Sequence, residues 1–203
     1  PGPGTTTADA RGLSGLLAAA LRESGVRSVL DTSRDGRTDT AAALADVPAG
    51  TAARTLVLPE RVFADAETLR RLVTDPADIC VLVDVTAAGP ETDAVPVTLA
   101  SGAVGGRRLG RHLVTALGDG AAGPAVFAHA AAFSRAAFAD LRQAAEKRRS
   151  GAAASVALAD LLADLVAAGR TVHAVTTAGG WTEVRSPDHL RQLAALMPEQ
   201  VTA

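Results

Sequence analysis

Few side chains in this sequence are placed to do chemistry. Asp84 closes an apolar run, ICVLVDV (79–85), that reads as the central strand of a sheet. Carboxylates at that end of a central strand face the crevice where open α/β sheets take ligands; such a residue can also simply finish the strand. Arg107, Arg108 and Arg111 crowd together after a glycine-rich turn. Guanidinium forks suit phosphate oxygens, and the same cluster also fits a solvated surface patch. Lys147 is the sole lysine, so any reaction needing a lysine must use it or do without. It lies in EKRR (146–149), whose charge suits the negative end of a helix without any ligand.

Several familiar chemistries are excluded by spacing. There is no G-x-S-x-G nucleophile elbow. Glu146 precedes Lys147, where a phosphate-binding loop requires glycine. Gly102, Gly105, Gly106 and Gly110 follow a hairpin and lack the spacing of a dinucleotide fingerprint. His112, His129, His173 and His189 are scattered, and a single cysteine, Cys80, cannot build a thiolate zinc site. Cys80 within an apolar strand reads as a small core residue, and His129 and His173 as strand residues.

The elements that must hold these groups follow from pattern. The chain has 203 residues, 48% of them hydrophobic but only 2% aromatic, so one core is built from many small contacts. A leader over 1–7, one domain over 8–198 and a tail over 199–203 are expected. No apolar run spans a bilayer, the start lacks a secretory signal, and one cysteine fits a reducing cytoplasm. A net charge of −2 supplies no field for nucleic acid or an anionic membrane. Helices are predicted over 8–24, from 40 to 45, from 65 through AETLRRLV, over 134–150, over 156–168 and from 187. Strands are predicted at VRSVL, RTLVL, ICVLVDV, PAVFAHA, TVHAVTT and WTEV, with a hairpin from AVPVTLA to VGGRRLG. Alternating strands and helices predict a three-layer, Rossmann-like α/β fold with a mostly parallel sheet and a β-hairpin insertion.

The segment SVALADLLADLVAAGRTVHAVTTAGGWTEVRSPDHLRQL (155–193) runs helix, glycine turn, strand, Trp-x-Glu, then Ser-Pro-Asp opening a helix. It resembles the end of the nucleoside triphosphate transferase family, whose extended Trp-x-Glu-x-Asp segment precedes a similar helix start. His189 stands where that pattern carries an aspartate. The likeness is greatest to cytidylyltransferases acting on phosphocholine or on phosphonates. Upstream, TLVLPERVFADAETLRRLVTDPADICVLVDV is similar to the family's strand, acidic position, helix and strand ending in Asp, and AVPVTLASGAVGGRRLGRHL to its hairpin.

This resemblance implies a nucleotidyltransferase sheet, with Glu60 in a metal-binding position, Asp84, Trp181 and Glu183 at the substrate, and Arg111 in place of a basic residue. Trp181, beside two glycines, also reads as a filler of a core gap. Family members open with a Gly-rich loop whose amides cradle the triphosphate; no such segment is found here, so the fold is expected to be truncated at that strand and loop. Arg185 takes the place of the second metal aspartate and Pro96 that of a substrate-side lysine. Nucleotidyl transfer needs Mg²⁺ between carboxylates and phosphates. A guanidinium at that position repels the ion by about 4 kcal/mol at about 4 Å, even in a partly screened site. The expectation is therefore a degenerate, non-catalytic binding, docking or oligomerisation module, in a homo-oligomer or beside a fused or associated enzyme of phosphonate biosynthesis. The alternative is an active, CTP- and Mg²⁺-dependent cytidylyltransferase with unusual ligands or completed by a partner chain.

Overall fold

The computed structural model describes residues 20–21, 29–31, 33–34, 37–38, 40–45, 47, 53–59, 61–86, 94–100, 111–151, 155–184 and 186–196. The expected leader, the tail, most of the first helix, and Glu60, Arg107, Arg108 and Arg185 lie outside these residues, as does the side chain of Arg111.

After helical residues 20–21 come three short strands, β1 (Val29–Asp31), β2 (Ser33–Arg34) and β3 (Arg37–Thr38), the last two forming a small hairpin where no element is predicted from sequence. They lead to α1 (Thr40–Ala45), β4 (Arg54–Leu58), β5 (Val62–Ala64) and α2 (Ala66–Thr74). Next are β6 (Ile79–Asp84), β7 (Pro96–Leu99), β8 (Arg111–Leu117), β9 (Ala125–Ser134), α3 (Arg135–Ser150) and α4 (Leu158–Ala167). The described chain ends with β10 (His173–Thr177), β11 (Trp181–Glu183) and α5 (Pro187–Leu196).

The main sheet has the order β1-β4-β9-β6-β10-β8-β7. All six residues of β6 are buried, as a continuous apolar run requires of a strand covered on both faces. Sequence predicts a mostly parallel sheet; the observed one is mixed. Parallel pairing joins β1 to β4 and β6 to β10, whereas β9 runs antiparallel between β4 and β6, and β8 runs antiparallel to β10 and β7. The β7–β8 hairpin is no insertion either. It continues the sheet and returns to β9, where Pro96 and Val97 pair with Val126 and Ala125, closing β9, β6, β10, β8 and β7 into a ring.

One strand makes that closure geometrically possible. Along one edge β9 faces β6; along the other it pairs with β7 at its start and with β4 at its end, through Ala131 to Ser134. Between these partners the register slips: Val81 faces Ala131 but Val83 faces Phe127. Two extra residues of β9 are thus absorbed opposite Leu82, a bulge that bends the strand and sharpens its twist. His129 sits in it with φ 56°, the sole non-glycine residue with positive φ among those described. Its ring lies against Phe127, centroid to centroid 5.4 Å.

Alternation along the strands builds two cores. Val81, Val83, Phe127, Ala131 and Phe133 face α1, α3 and α4. Cys80, Leu82, Ala128, Ala130 and Ala132 face α2, α5 and the β5 segment. Helices thus cover both faces of the sheet. Both helix starts are capped by side chains: Ser134 Oγ accepts from Ala137 N–H at α3, and Asp65 Oδ1 from Thr68 N–H at α2. Cys80 is fully buried and donates to Asp75 Oδ1 at 3.1 Å. Burial first, and the neighbouring carboxylate second, push its thiol up to about 12.

Two outcomes follow. A β-branched side chain is strained in the left-handed region, so His129→Val should lower stability by about 1–2 kcal/mol. His129→Gly, which relieves the backbone, should lose less; matched urea unfolding curves check the order. Native Cys80 should resist alkylation at pH 8 and react fully in denaturant. Because its folded pKa is raised, alkaline pH should destabilise the fold as the unfolded thiol ionises from about pH 9 upward.

Candidate functional site

The carboxyl ends of β4, β6 and β10 point to the same edge of the sheet, where α/β folds gather ligand-binding groups. Two candidate residues from the sequence, Asp84 and Trp181, meet there.

Asp84 ends β6 and is 6% exposed. Its Oδ1 accepts from the backbone N–H and the hydroxyl of Thr86, at 2.7 and 2.8 Å. Its Oδ2 accepts from the indole N–H of Trp181 at 2.8 Å, across 97 residues of sequence. The carboxylate thus receives three donors, two tightening its own turn and one clamping a remote strand.

Trp181 reaches this position because of the turn before it. After β10, Gly179 and Gly180 both take positive φ, 106° and 76°. Gly180 accepts from Asp65 N–H at 2.9 Å, and a Cβ built on it would lie 2.5 Å from Asp65 Oδ2 and 2.7 Å from Thr68 Oγ1. Only glycine permits both the dihedral and the approach. The turn therefore seats on the first turn of α2 and delivers Trp181 into β11, which pairs antiparallel with β5. Trp181 packs at the margin of the core containing Leu69 and Leu82. The side chain thus fills the core margin, as one reading of the sequence expects, and bonds a carboxylate of the edge.

Glu183 lies two residues on, so its side chain leaves β11 on the same face as Trp181. It does not join Asp84. Its Oε1 is 2.7 Å from Nε of Arg61, with the glutamate side chain 11% exposed and the arginine 55%. Arg61 is also held through its backbone, whose carbonyl accepts from Val184 N–H at 2.7 Å. No sequence pattern singled out Arg61; its neighbour in space is fixed only by the β5–β11 pairing, a contact between remote segments. On the other face of β11, Thr182 Oγ1 meets His189 Nε2 at 3.3 Å, and His189 N–H is capped by Ser186 Oγ.

The Cα of Arg111 begins β8 opposite Val175 of β10, close to the same edge. Glu60, the expected metal ligand, lies outside the described residues. Among the described residues no three His, Cys, Asp or Glu side chains are grouped to hold a metal ion. Asp84 accepts from three N–H and O–H donors, and Glu183 is paired with the Arg61 guanidinium. No described helix is long and apolar enough to cross a membrane.

No protein-family model and no curated protein matches the sequence. Solved structures do. The inositol-1-phosphate CTP transferase of T. maritima superposes with a TM-score of 0.59 at 15% identity, over 92% of this chain and 72% of that one. A CMP:2-keto-3-deoxy-manno-octonic acid synthetase complexed with CTP gives 0.60 at 16% identity, over 93% and 88%. A UDP-glucose pyrophosphorylase complexed with UDP-glucose gives 0.54 at 9% identity, over 72% of this chain and 56% of that one. The chain has a nucleotidyltransferase-like fold, with resemblance to cytidylyltransferases among its structural neighbours.

Replacing Trp181 by Phe keeps the ring but removes the donor, leaving buried Asp84 one bond short. The expected loss is about 1–3 kcal/mol, seen as a lowered denaturation midpoint; an unchanged midpoint would mean the indole bond contributes nothing.

Proposed function

We propose that this chain is a nucleotidyltransferase-like domain that binds a phosphate-bearing nucleotide at the carboxyl edge of its sheet and does not turn it over unaided. The observation that supports this reading most is the state of Asp84. Two donors from Thr86 and one from Trp181 commit its carboxylate to holding the edge together, where a catalytic carboxylate would be free to face Mg²⁺ and substrate phosphates. Glu183 is engaged in the same manner by Arg61. A preformed edge with rigid supports and cationic side chains suits ligand binding; the transfer step needs carboxylates that are not spoken for. The structural neighbours that act on CTP or carry it support a cytidine nucleotide as the ligand to try first.

CTP with Mg²⁺ at a hundredfold excess over its Kd should stabilise the domain by about 2.7 kcal/mol. For a domain of this size each kcal/mol moves the thermal midpoint by about 2–4 °C. The rise should be seen without pyrophosphate release when phosphocholine or 2-hydroxyethylphosphonate is added. Release of pyrophosphate would establish an active cytidylyltransferase instead, and no thermal shift with any nucleotide would remove the binding reading.

A further inference from the structure

We infer that Arg61 is a phosphate-holding residue of this edge, and that Glu183 positions it. The inference rests on the nucleotide-binding reading above and names a residue that the sequence did not single out.

The geometry of the pair carries it. Glu183 engages Arg61 through Nε, and its side chain is only 11% exposed whereas that of Arg61 is 55% exposed. A guanidinium carries five N–H donors in one plane. The contact with Glu183 is through Nε, more than half of the arginine side chain is exposed, and the Nη1–Nη2 end of a guanidinium matches two oxygens of one phosphate. The backbone of Arg61 is fixed as well, because its carbonyl takes the N–H of Val184 and Val62 N–H bonds Pro59 O at 3.0 Å. An arginine on a free loop would lose rotamer entropy on meeting an anion; here ladder and carboxylate have already restricted it. The residue also stands where the fold gathers ligands, three positions past the end of β4 and beside the strand that carries Trp181 to Asp84.

An ion pair formed only to stabilise the surface would contribute little and leave binding unaffected. The two roles separate on one measurement. Inorganic tripolyphosphate, without Mg²⁺, is titrated calorimetrically into the full chain and its variants. Arg61→Ala should weaken binding at least tenfold while the chain stays folded, with a lowered thermal midpoint because Glu183 loses its partner. Arg61→Lys should recover part of the loss, since it restores charge without the fork. Glu183→Gln should weaken binding less, severalfold, by loosening the arginine. Arg70→Ala, on the outer face of α2, controls for bulk charge and should leave the affinity intact. Equal affinity in wild type and Arg61→Ala would overturn the inference, as would failure of the wild type to bind tripolyphosphate. If the wild type binds tripolyphosphate through Arg61 but ignores CTP, the inference stands and the nucleotide reading falls.

Discussion

The sheet depends on β9 lying antiparallel between strands that are parallel to each other. Ten residues long and mostly alanine on one face, it brings β4 and β6 together while offering almost no side-chain bulk on the face covered by α2 and α5. Leucines from the flanking elements, Leu56, Leu69, Leu72 and Leu82, fill the space instead. On the other face Phe127 and Phe133 supply the large groups, with Phe133 meeting Phe138 of α3 edge-on at 6.4 Å. In a chain so poor in aromatic residues, two of its four phenylalanines are thereby spent on one strand. The bulge at His129 lets that strand change neighbours along a single edge, and ring closure follows from it.

Asp84 illustrates how position and chemistry can separate. It occupies the end of the central strand at the edge where sheets of this kind take ligands, yet its oxygens serve the protein itself. The indole of Trp181 draws on the same carboxylate that tightens the Thr86 turn, so the strand pair β5–β11 and the end of β6 are tied by one bond. Gly180 makes this tie possible from the other side, by fitting the helix start of α2 where a side chain would collide. Carboxylates arranged thus keep an edge in shape.

Local signals were the legible ones. The helix starts near Asp65 and Ser134, the Ser186-Pro187 helix start, and the apolar run of β6 all lie within a few residues of the features they determine. The fold class was legible from element order, and the Trp-x-Glu segment pointed to the right fold. What failed was long-range. Sequence gives no direction for PAVFAHA, so the antiparallel course of β9 went unseen and the sheet was taken as mostly parallel. The second hairpin strand was placed on VGGRRLG, which lies outside the described residues; the described part of β8 starts at Arg111, opposite Val175 of β10. Val62 to Ala64 is a strand only because β11 lies beside it, and the Arg61–Glu183 pair follows from that same remote contact. Asp84 and Trp181 were each chosen separately; that they bond one another was not visible in either segment.

Closing the ring has a consequence for how the molecule meets its own kind. A sheet with two open margins can recruit a stray strand at either one. Here β7 pairs back onto β9, which shields that margin with the protein's own backbone and leaves β1 as the terminal strand of the order. Among the described residues the ring thus removes the β7 margin from strand-to-strand pairing.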